Sequence, residues 1–241
     1  MRLFHGVSIA VALALVVPAV AAQQGQAQGQ AMQQEVTRKV EGGGIKAAGW
    51  AGVADTTGDS KGFLITDGLF TTEGSGFKVV TGPAATYWNP KNIATGNYTV
   101  KATFSEPKYM SINTHAHPYG IVIAGNDLGT PNVSLLYCSA YGDGRFIVRG
   151  FGPTAFNVNG RGEANAAVNK AAGKDQPVKQ DIAMSVSGDK VTCSVNGTVV
   201  GTYMKADLVA AGKLKSTDGV YGLRFGHNTD VTVTGFAMTK N

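Results

Sequence analysis

The chain has 241 residues, a formal net charge of +5 and only 15% charged residues, with its lysines and arginines scattered singly. No Lys/Arg run of the kind that tracks a phosphate backbone occurs, which argues against a nucleic-acid partner. Glycine, at 33 of 241 residues, is roughly twice its usual share and points to short strands joined by tight turns.

In chain order, residues 1–22 read as a secretory signal peptide. Arg2 gives a positive start, Val7 to Val17 an apolar stretch, and Pro18 to Ala22 a helix break followed by small residues. That stretch is shorter than the ~20 apolar residues a spanning helix needs, and no later stretch approaches it, so no transmembrane segment is expected. Residues 23–44 are rich in Gln, Gly and Ala with almost no large apolar side chain. They bury too little to offset their ordering entropy and read as a flexible tether. Residues 45–241 suit a single domain.

Within that domain the pattern is one of strands. Residues 62–82 give three short ones, with turns at Asp67-Gly68 and Gly74-Ser75-Gly76. In 97–106, Tyr98, Val100, Ala102 and Phe104 alternate with Thr99, Lys101, Thr103 and Ser105, which predicts a strand with one buried face. Residues 119–125 and 133–141 are apolar on both faces, as central strands are. Asp143-Gly144 then marks a hairpin into 145–151. A long Ala/Asn/Gly-rich insertion spans 152–179, a length typical of functional rims or disordered excursions. Residues 180–203 form a meander, 204–214 hold at most one short helix, and 219–239 supply two closing strands. About a dozen strands and almost no helix predict an all-β, two-sheet antiparallel β-sandwich of jelly-roll type.

The order of these elements resembles the concanavalin A-like lectin/glucanase sandwich. More narrowly, it is similar to secreted bacterial domains labelled 3-keto-disaccharide hydrolase or family 16 glycoside hydrolase-like. The stretches that carry the likeness are DGLFTTEGSGFKVVTG, GNYTVKATFSEP, HPYGIVIAGNDL, GDGRFIVRG and the closing DIAMSVSGDKVTCSVNGTVVGTY with DGVYGLRFGHNTDVTVTGF. These are turns and strand patterns, so the resemblance implies the fold first and glycoside chemistry second. Family 16 glucanases would carry closely spaced carboxylates on one strand. No strand here offers two at i and i+2, which disfavours a retaining glycosidase mechanism built on one strand.

Candidate site residues follow from parity and turn chemistry. With Phe146 and Val148 facing inward, Arg149 faces outward; with Leu223 and Phe225 facing inward, so does Arg224. Two outward arginines on one sheet would line a concave face suited to a hydroxylated or anionic ligand. His115 and His117, two apart, can share a metal, with Asp127 and His227 as distant further ligands. However, Asn113, Thr114 and Pro118 are turn residues, so the pair reads as a ligand-contacting loop with Tyr119, and no transition-metal site is expected. Trp88 is a candidate stacking platform for a sugar ring, against the alternative of core packing. Asp127 and Asp230 are weak loop candidates for a structural calcium; beyond that, no cofactor is expected. Cys138 and Cys193 both read as buried, and either pair across the core or remain two buried thiols.

Three functional readings follow. The first is an exported, periplasmic or extracellular carbohydrate-recognition domain, binding a glycan or cell-surface polysaccharide. The second is a glycoside-processing enzyme and the third a structural or assembly protein of the cell surface. The sequence leaves the oligomeric state open.

Overall fold

A computed structural model describes residues 35–241. The predicted signal peptide and residues 23–34 of the predicted tether lie outside the described residues.

The strands are β1 (Gly44–Ile45), β2 (Ala51–Ala54), β3 (Leu69–Glu73), β4 (Gly76–Val80), β5 (Ala85–Ala94), β6 (Tyr98–Glu106), β7 (Tyr119–Asn126) and β8 (Ser134–Ala140). They continue with β9 (Arg145–Phe151), β10 (Ala155–Asn157), β11 (Glu163–Ala164), β12 (Val178–Ser187), β13 (Lys190–Val195), β14 (Thr198–Met204), β15 (Gly219–Phe225) and β16 (Asp230–Lys240). One short helix, α1 (Lys205–Leu208), lies in the stretch expected to hold one.

Two sheets face each other. The first runs β1-β3-β4-β16-β6-β12-β13-β14, and the second runs β10-β9-β8-β7-β15-β5-β2 with β11 on β9. The strand pairs are antiparallel except β1 with β3. This is the two-sheet jelly-roll sandwich that the strand pattern predicts.

The core lies between the sheets and is built by alternation. Tyr98, Val100, Ala102 and Phe104 of β6, Ile182, Met184 and Val186 of β12, and Val191, Cys193 and Val195 of β13 all point into it from the first sheet. Tyr119, Ile121 and Ile123 of β7, Leu136 and Cys138 of β8, Phe146 and Val148 of β9, and Leu223 and Phe225 of β15 meet them from the second. Fully burying each large apolar side chain is worth about 1.5–3 kcal/mol. Cys138 and Cys193 are joined in a disulfide across this core, from β8 in one sheet to β13 in the other.

The N-terminal boundary differs from the sequence reading. Residues 35–43, expected as the end of a tether, run along the sandwich as an ordered strap leading into β1. Arg38 donates from its backbone N–H to Asn228 Oδ1 (2.9 Å), from Nε to the Thr81 carbonyl (2.7 Å) and from Nη2 to the Thr229 carbonyl (2.5 Å). Asn228 Nδ2 donates back to the Val36 carbonyl at 3.1 Å, and the Val40 N–H donates to the Asp67 carbonyl at 2.9 Å. The strap is therefore held by polar bonds, which a tally of its apolar surface does not register. The 152–179 insertion is partly regular, since β10 and β11 both pair with β9.

Candidate functional site

Register fixes the outer face of the second sheet. Arg149, Tyr137, Val122 and Gly222 are paired across β9, β8, β7 and β15, and Ile147, Ser139, Gly120 and Arg224 form the neighbouring row. Arg149 and Arg224 thus share a face, as parity requires, but that face is not an open groove. Tyr109, Met110 and Ala116, from the connection between β6 and β7, pack with Val122, Tyr137 and Ile147 as a second apolar cluster.

Beneath this cover Arg224 is buried and committed to the fold. Its Nη1 donates to Asp55 Oδ1 (2.7 Å) and to Thr86 Oγ1 (3.1 Å), and its Nη2 donates to Asp55 Oδ2 (2.5 Å). Its guanidinium also lies 5.5 Å from the Tyr137 ring centre and 5.3 Å from that of Phe151. Burial works against the charge, and the Asp55 carboxylate outweighs it, holding the guanidinium protonated. Three of its five N–H donors are held by Asp55 and Thr86, and the side chain is buried under the loop, so Arg224 serves the fold. Arg149 remains half-buried on the same face.

Other expected contacts also belong to packing. Tyr119 points into the core, fully buried and stacked on Phe104 with ring centres 5.6 Å apart. It is not a rim residue, because the strand begins at Tyr119 itself and its parity is inward. Trp88 is 8% exposed and cross-strand to Ala51 and Gly222, which leaves it little surface for a sugar. Asp127 is paired with Lys215 and Asp230 with Lys78. Neither belongs to a cluster of three or more candidate ligand groups among the described residues.

The histidines do converge, and with a partner, Glu35, that no local pattern announces. His115 and His117 sit on the loop before β7, His227 sits on the turn between β15 and β16, and Glu35 comes from the strap. One ligand atom from each lies within 4.8 Å of every other. His117 Nε2 is 2.7 Å from Glu35 Oε2, His115 Nδ1 is 3.1 Å from Glu35 Oε1, and His227 Nε2 is 3.6 Å from Glu35 Oε2. The Glu35 side chain is 3% exposed and that of His115 is 48% exposed, so the cluster is buried with one open side. Burial alone would raise the Glu35 carboxyl, but hydrogen bonds from Thr114, His117 and the backbone N–H groups of Thr114 and His115 bring it down to about 2. Burial, with the neighbouring His227, pushes His117 down to about 4 against the pull of Glu35, and burial lowers His227 as well.

On the opposite side of the molecule, the outer face of the first sheet is open and polar. A groove of about 490 Å³ crosses β6, β12 and β13, lined by Lys101, Thr103, Asp181, Ala183 and Ser194 and ending at Gly197 and Gly235. Register pairs Thr103 with Asp181 and aligns Lys101, Ala183 and Ser194 in the next row. The small side chain of Ala183 between two longer ones makes the depression.

No protein-family model and no curated protein matches this chain. Solved structures do. The carbohydrate-binding module CBM66 from Bacillus subtilis superposes with a TM-score of 0.53 at 10% identity, covering 82% of this chain and 98% of that one. A protein of unknown function with a galectin-like fold, also from Bacillus subtilis, gives 0.53 at 13% identity, covering 79% and 89%. What is shared is the fold, a two-sheet antiparallel β-sandwich. At these identities the likeness concerns the backbone, and neither neighbour assigns a role to any side chain here.

Proposed function

We propose that the protein is an exported carbohydrate-recognition domain and that the groove across β6, β12 and β13 is where it receives a glycan. The observation that carries this reading is the groove itself, an open depression into which Lys101, Thr103, Asp181 and Ser194 present polar groups, on a sandwich whose other outer face is covered by its own loop. Asp181, whose Oδ1 accepts from Thr103 Oγ1, can accept from sugar hydroxyls, Lys101 can donate to a ring or hydroxyl oxygen, Thr103 can accept, and Ser194 can do either. The fold shared with a carbohydrate-binding module supports the same class of ligand. Export is supported by the predicted signal peptide and by the disulfide, which persists in oxidising compartments. The lining contains no aromatic ring for stacking, so a roughly millimolar site is expected, strengthened by multivalent display.

A glycan array followed by NMR titration of the hits tests this. Asp181→Ala and Lys101→Ala are each expected to weaken binding by about tenfold, the loss of one charge-assisted hydrogen bond. Arg149→Ala, on the other sheet, should leave it unchanged. Absence of any glycan signal, or a signal indifferent to Asp181, overturns the proposal.

A further inference from the structure

Four side chains from three separate segments meet at the strap, and their hydrogen bonding is unfinished. The buried His227 Nε2 has no hydrogen-bond partner, although its side chain is only 7% exposed. Its Nδ1 lies 3.5 Å from Thr37 Oγ1, whose hydrogen goes to the Asp59 carbonyl. Its Nε2 faces Asp59 Oδ2 at 3.4 Å and Glu35 Oε2 at 3.6 Å. A cation seated here would give the ring nitrogen and the Glu35 carboxylate a common partner.

Glu35 is oriented for that role. Its Oε1 accepts from the Thr114 N–H, from Thr114 Oγ1 (2.7 Å) and from the His115 N–H (3.0 Å). Outer hydrogen bonds of this kind fix a ligating carboxylate and leave its other oxygen to the metal. Oε2 points at His117 Nε2, 2.7 Å away, where a shared proton now holds the place a cation would take.

We propose that Glu35, His115, His117 and His227 form a binding site for one divalent first-row transition metal ion, with zinc the best fit. Three imidazoles and one carboxylate are the donors zinc takes, in a tetrahedron with bonds of about 2.0–2.2 Å, so ligand atoms on one ion stand about 3.3–3.6 Å apart. The present limit of 4.8 Å closes to a tetrahedron with rotamer adjustments that bring the ligand atoms in by about 1 Å. Nitrogen donors disfavour calcium and magnesium, which take oxygen. His115, on the exposed side, is the ligand closest to solvent. The ion would fasten the strap to the β6–β7 loop and to the β15–β16 turn. This site is remote from the glycan groove in function and in residues, and it stands without that reading.

The test is equilibrium dialysis of the full mature chain, stripped with EDTA, against zinc, with cobalt(II) absorption as an independent readout. One zinc ion per chain is expected to be retained at micromolar free metal. Cobalt should show the intense bands of a four-coordinate nitrogen/oxygen site, and zinc should raise the thermal midpoint above that in EDTA. His117→Ala, His227→Ala and Glu35→Gln should each weaken zinc binding by at least about 100-fold, and His115→Ala by about tenfold. Should a variant fail to fold by circular dichroism, the wild-type stoichiometry and cobalt spectrum decide. No retained zinc, a six-coordinate aqueous cobalt spectrum, or undiminished binding in folded His117→Ala and His227→Ala variants overturns the proposal.

Discussion

Glu106 ends β6 on the face that Tyr98, Val100, Ala102 and Phe104 turn to the core, and it is itself buried. Its Oε2 has no hydrogen-bond partner. Burial raises its carboxyl to about 7, against a hydrogen bond from the Met110 backbone. Because the folded value lies above the unfolded one, the fold favours the protonated acid. Its contribution is fully present below the unfolded value near 4.5 and is lost as pH rises toward 7, amounting to about 3 kcal/mol at most. Glu106→Gln, which stays neutral, should be close to wild type near pH 4.5 and more stable than wild type above pH 7. Urea unfolding of both proteins from pH 4.5 to 8 checks this, and parallel profiles would refute it. Alternation in the sequence extends to Glu106 and gives no warning that a carboxyl is tolerated there. The same limit applies to Arg224: parity gives its face correctly, but not that a loop and Asp55 enclose it.

The strap is the element that composition misjudged. An argument from apolar surface treats residues 23–44 as unable to order, yet Arg38, Thr37 and Glu35 tie residues 35–43 down through polar groups on distant loops. Those partners, Thr81, Asp59 and Thr114, lie far from the strap in sequence, and no local pattern announces them. For the same reason the His115–His117 pair and even His227 could be named from the sequence, while Glu35 could not. A chain starting at Ile45 should be destabilised by about 3 kcal/mol relative to one starting at Glu35, from the loss of Arg38's charged hydrogen bonds and the exchange with Asn228. Denaturant midpoints in EDTA measure this without any metal contribution. Equal midpoints would return the strap to the status of a tether.

At the scale of the whole molecule the sandwich was legible because alternation and glycine turns repeat in nearly every strand. What holds its layers together was less so, since whether Cys138 and Cys193 meet depends on how β8 stacks over β13. The disulfide closes 55 residues and should contribute about 4 kcal/mol on chain-entropy grounds. A Cys138→Ala, Cys193→Ala double variant is expected to fold with its denaturant midpoint lowered accordingly, and an unchanged midpoint would count against that figure. The cross-link also has a mechanical consequence. If the chain is pulled from its two ends, the segment between the cysteines, which stand 55 positions apart, stays out of the line of tension. About 190 Å of extension is then withheld, at ~3.4 Å per residue. Much of β9 to β13, including Asp181 of the groove, would stay in the shielded loop under stress, while Ser194, just past Cys193, would not.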